Sequence, residues 1–114
     1  MGLQTTNLDA DGTTLIATLN QKHKWPTNEI GIHAHGAYGS GTLTFQYSFD
    51  GGTTKVTVKD APGTSGADVS YTASGGFTWK SPVTTGGSAV LLYAVLSGST
   101  SPDIDVYVTD PNIG

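Results

Sequence analysis

His33 and His35 are the residues whose type and spacing most directly suggest chemistry. They lie in Ile30-Gly31-Ile32-His33-Ala34-His35, an alternating run that reads as a β-strand, so both imidazoles project from one face. Two imidazoles so placed can ligate zinc, but a tetrahedral site needs further donors. His23 or an acid from elsewhere would have to supply them, and no sequence neighbour does. The competing reading is a polar strand face, or a subunit interface that stacks identical histidines near a symmetry axis. Neither a metal nor any other cofactor is assigned.

Other chemical residues are sparser. Asp9-Ala10-Asp11-Gly12 begins like a calcium loop, but no longer acidic series or closing Glu follows, so it reads as a turn. Trp25, Trp79 and Tyr38 could stack against sugar rings, or equally pack a core or an interface. With His33 and His35 they form the expected interface or ligand face. The sequence has neither a Gly-x-Ser-x-Gly elbow nor a Gly-x-x-x-x-Gly-Lys phosphate loop. Eight Asp and the single Glu29 lie mostly near turns, and none stands out as a glycosidase carboxylate pair. The expectation is a protein that is not an enzyme.

Ser48-Phe49-Asp50-Gly51-Gly52-Thr53-Thr54 is similar to the Ser-x-Asp-x-Gly-x-Thr core of the Asp-box of sialidases and related β-folds. Lys55 stands where those boxes usually carry Trp. The likeness implies a structural hairpin turn, built by Ser48, Asp50, Gly51, Gly52 and Thr54, in which Ser48 and Asp50 bond backbone groups. A single copy in 114 residues cannot make a propeller.

The elements that would position these residues read as short strands. Thr13 to Leu19 follows the Asp9–Gly12 turn, and Glu29 to Tyr38 carries the histidines. In Thr42 to Phe49, the side chains of Leu43, Phe45, Tyr47 and Phe49 share one face. Asp50-Gly51-Gly52 turns the chain, and Thr54 to Lys59 returns with Val56 and Val58 inward, a strong hairpin signal. Asp68 to Thr72 and Gly76 to Lys80 are weaker. Asp103 to Thr109 closes the series with Ile104, Val106 and Val108 inward. Ser88 to Leu96 is apolar on both faces: Val90, Leu92 and Ala94 on one, Leu91, Tyr93 and Val95 on the other. Such a strand is covered by a second sheet or by a neighbouring chain. The expectation is therefore an all-β antiparallel sandwich of roughly eight or nine strands, of jelly-roll type, with an immunoglobulin-like sandwich as the alternative. One domain spans residues 1–114, with Met1 to Leu8 and Asp110 to Gly114 as short terminal arms.

Composition agrees. Thr, Ser and Gly number 18, 10 and 16, residue types that favour strands and the turns between them. Only 12% of residues are charged, about half the usual ~25%, which suits a surface that meets other protein. The net charge of −4, with no Arg, argues against nucleic acid as a partner. Lys22-His23-Lys24 is the one basic cluster and reads as a solvated loop. No Cys is present, so a disulfide frame is excluded. No apolar run approaches the ~20 residues of a membrane helix, and a membrane partner is not expected.

The stretch from Ile30 to Asp60 resembles small structural proteins of tailed bacteriophages. The residues carrying the likeness run from Gly39-Ser40-Gly41-Thr42 through Phe45-Gln46-Tyr47-Ser48 to Asp50-Gly51-Gly52-Thr53-Thr54, joined by Gly98-Ser99-Thr100-Ser101-Pro102-Asp103-Ile104-Asp105-Val106. The resemblance implies a capsid decoration, or cement, protein made in the host cytoplasm and located on the capsid surface of the virion. It further implies self-association as a trimer and contact with the major capsid protein, and it carries no catalytic residues. A carbohydrate-binding or tail-fibre host-recognition module is the alternative.

Overall fold

A computed structural model describes residues 2–19, 29–59, 69–80 and 90–110. Among them the chain forms nine strands and no helix: β1 (Gly2–Leu8), β2 (Gly12–Leu19), β3 (Glu29–Ala37), β4 (Thr42–Ser48), β5 (Val56–Thr57), β6 (Ser70–Tyr71), β7 (Gly75–Lys80), β8 (Val90–Ser97) and β9 (Asp103–Asp110). They make two antiparallel sheets, one ordered β1-β9-β3-β7 and the other β2-β8-β4-β5, with β6 also paired to β4. The molecule is an all-β sandwich.

β5 and β6 act as two pieces of one interrupted strand, since both pair with β4. The ladders then join β1 to β9, β2 to β8, β3 to β7 and β4 to β5 and β6. The roll closes where β9 also meets β3 and β8 also meets β4. A long antiparallel ribbon wound into two sheets in this order has jelly-roll topology.

Alternation drives the packing. Ile30, Ile32 and Ala34 of β3 and Ile104, Val106 and Val108 of β9 are buried on the inner face of one sheet. Leu43 and Phe45 of β4 and Val90, Leu92, Ala94 and Leu96 of β8 are buried opposite them. Aromatic pairs bridge the layers: Phe45 meets Phe77, and Tyr47 meets Trp79, each at a centroid separation of 5.3 Å. Such pairs add about 0.5–1.5 kcal/mol each beyond the area they bury.

Two expectations are corrected. The N-terminal segment is not an arm; it is edge strand β1, in register with β9 from Gly2↔Asp110 to Leu8↔Ile104. Asp110 likewise belongs to β9, and residues 111–114 lie outside the described residues. Phe49 does not continue the inner face of β4. The strand ends at Ser48, whose side chain turns the chain, and Phe49 is 46% exposed.

Candidate assembly surface

The hairpin after β4 is built by side chains bonding backbone. Ser48 Oγ donates to Asp50 Oδ1 at 2.7 Å and accepts from the Gly52 N–H at 2.9 Å. Asp50 Oδ1 also accepts from the Thr54 N–H at 2.8 Å. These donors lower the Asp50 carboxyl from 3.8 to about 2, the Thr54 N–H contributing most and the Ser48 hydroxyl next. Gly51 and Gly52 have φ of 78° and 98°, which glycine accepts without steric cost. Gly52 also lies against β8, where a Cβ would sit 2.8 Å from the Tyr93 hydroxyl. All five expected hairpin residues are thus brought together.

That loop folds over the outer face of the five-stranded sheet. Lys55 Nζ stands 5.1 Å from the Tyr93 ring centroid and donates to the Gly52 carbonyl at 3.1 Å. Along the outer face of β8, Leu91, Tyr93 and Val95 are half-buried. Leu15 of β2, the register partner of Tyr93, is 47% exposed. The row runs between Thr13 and Thr18 on one side and Thr42, Thr44 and Gln46 on the other. Among the described residues no third layer covers it. The sequence marked β8 as apolar on both faces but gave no sign of Leu15, because a bulge between Leu15 and Ala17 shifts the register of β2.

The outer face of the four-stranded sheet is polar. His33 and His35 are exposed, their rings near parallel at 9° with centroids 6.1 Å apart, and Tyr107 lies 6.2 Å from His35. Asn7 Nδ2 donates to Asp103 Oδ1 at 2.8 Å and to Asp105 Oδ1 at 3.0 Å, tying β1 to β9. No cluster of three or more metal-ligating side chains occurs among the described residues. Tyr107, Asn7 and Asp105 join this face through the β1-β9-β3 ladder, a long-range pairing no local pattern announces.

The aromatic part of the expected face is corrected. Trp79 is 8% exposed, on the inner face of β7 against Tyr47, and Tyr38 is 5% exposed with its hydroxyl donating to the Ala34 carbonyl. Burial raises the Tyr38 hydroxyl above its ordinary value, with a smaller contribution from Tyr71. Trp25 lies outside the described residues. Two of the three rings expected to meet a sugar therefore belong to the core.

The other turns are clamped. Asp11 accepts from the Ser99 N–H at 3.1 Å and from the Ser99 hydroxyl, joining the β1–β2 turn to the β8–β9 turn and lowering the Asp11 carboxyl. Residues 9–12, whose spacing resembled a calcium loop, thus provide a cross-link between turns.

No family model, curated protein or solved structure matches this chain.

Proposed function

We propose that the chain is a non-enzymatic virion structural protein, of capsid decoration type, that acts by self-association and by contact with the major capsid protein. The observation that carries the reading is the half-buried apolar row Leu91, Tyr93 and Val95 on the outer face of β8, roofed only at Tyr93 by the Asp50 hairpin, with exposed Leu15 beside it. A central strand normally presents polar residues on a solvated face. Apolar residues there gain about 25 cal/mol per Å² when another protein covers them.

The low charge of the chain limits repulsion between neighbouring copies. The rigid Asp50 hairpin, braced on Tyr93 through Lys55, gives the row a fixed wall against which a partner can seat. Small contacts repeated over a lattice become strong through multivalency. The virion context and the trimeric state come from the phage resemblance of the 30–60 stretch, and burial of Trp79 and Tyr38 weakens the sugar-platform alternative.

Light scattering on the purified protein, with and without capsids, tests the reading. Oligomers that bind capsids, and lose binding on Val95→Lys, are expected. A monomer at all concentrations that ignores capsids would overturn it.

A further inference from the structure

The sandwich has four edges, and sheet edges present unpaired backbone N–H and C=O groups that invite another strand. Natural proteins protect them with charge, proline, bulges or extreme shortness. Three edges here carry such protection. β2 has its bulge between Leu15 and Ala17. β5 and β6 are two residues each. β7 ends in Lys80.

β1 has none of these devices. Its seven residues, Gly-Leu-Gln-Thr-Thr-Asn-Leu, contain no charge and no proline, and its pairing with β9 runs without a register shift. Among the described residues nothing pairs with its outer side. Every second residue of such a strand points its N–H and C=O away from its own sheet.

We infer that β1 docks, antiparallel and about a two-fold axis, onto β1 of a second copy of this chain. This rests on the self-association reading above and assigns the contact between copies to the β1 edge, leaving the β8 row to the capsid. An uncharged antiparallel edge is complementary to itself, because a two-fold axis brings each outward donor opposite an acceptor of the other copy. Centred on Thr5, the register pairs Thr5 with Thr5 of the second copy, and opposed threonines are favourable cross-strand neighbours. Two four-stranded sheets thereby become one of eight strands.

The wall leaves room for such a contact. With extents of 41 × 30 × 23 Å, a narrow wall of the sandwich has an outline of at most roughly 700–900 Å², the scale of the ~800 Å² per partner of a stable complex. The β1 wall also holds a groove of about 330 Å³, lined by Thr5, Thr6, Leu15, Ile16, Ala17 and Thr18, in which side chains of the second copy can seat. An isologous contact of this kind closes on itself, so it yields a dimer or an even-numbered assembly in place of the trimer that the phage resemblance implies.

Thr5 is exposed, so charging it perturbs the contact and spares the core. Thr5→Lys and Thr5→Glu each place like charges across the axis and are expected to weaken dimerisation roughly tenfold or more. Mixed in equal amounts they are expected to re-pair as a heterodimer, read by native mass spectrometry and sedimentation, with melting of the dissociated chains unchanged. Wild-type oligomers that ignore both charges, or open-ended aggregates relieved by them, would overturn the β1 contact and leave self-association standing. A wild-type monomer at all concentrations would overturn both.

Discussion

Ser48→Ala isolates what holds the hairpin. Ser48 is completely buried, and its Oγ makes three bonds, donating to Asp50 Oδ1 and accepting from the Gly52 N–H at 2.9 Å and, more weakly, from the Asp50 N–H at 3.4 Å. The substitution leaves the backbone register of Ser48 with Leu91 intact and removes only the hydroxyl. Water can take the place of Ser48 at the exposed carboxylate, so that bond contributes little to the loss. The Gly52 N–H, half-buried beside the Tyr93 hydroxyl, is left without its acceptor. An unsatisfied donor in such a position costs about 1–2 kcal/mol. For a chain of this size each kcal/mol shifts Tm by about 4 °C, so a fall of about 4–8 °C is expected. Circular dichroism melting at neutral pH reads the global effect. Amide exchange at Gly52 and Thr54 reads the local one and is expected to accelerate. Thr53→Ala, at an exposed position of the same loop, is the control and is expected to stay within about 0.5 kcal/mol of the parent. A Ser48→Ala protein that melts within about 1 °C of the parent, with unchanged exchange at Gly52, would refute the reasoning.

Three further outcomes are expected. Asp50 titrates at about 2 in the fold against 3.8 ordinarily, so its contribution is complete above pH 3.8 and is lost as pH falls toward 2. Melting temperature is expected to drop across that window, and Asp50→Asn to remove part of the drop while lowering Tm at pH 7. Phe45→Ala, at a fully buried site against Phe77, is expected to cost about 3–5 kcal/mol in chemical denaturation with the m-value unchanged. Gly39→Ala places a Cβ against the Thr100 carbonyl at φ 58° and is expected to cost at least about 2 kcal/mol, read as a loss of soluble yield and Tm.

The inner faces were legible in the sequence wherever apolar residues alternate without interruption. Ile30 to Ala34, Leu43 to Tyr47 and Ile104 to Val108 each point inward as the two-residue period requires. The two-faced apolar pattern of Ser88 to Leu96 points to the second sheet and to the half-buried outer row. β1 was invisible for a physical reason: Gln4-Thr5-Thr6-Asn7 has no apolar alternation, and its strand character comes from its ladder with β9. Trp79 was misplaced although Phe77 and Trp79 share the period of two; the alternation outweighs the appeal of an aromatic platform. Phe49 was misplaced because Ser48 and Asp50 start the turn one residue before the apolar pattern ends.

The position of β9 between β1 and β3 has a consequence for biosynthesis. Until residues 103–110 have left the ribosome the four-stranded sheet lacks its middle strand, so β1 waits without a partner and β3 is paired on one side only, by β7. In that interval the inner face of the β3–β7 pair, with Ile30, Ile32 and Trp79, lacks its neighbours Ile104, Val106 and Val108 and is a chaperone substrate. A chain cut short before β9 is left with one complete sheet and only the β3–β7 pair of the other, which makes it a target for proteolysis before it can reach a partner.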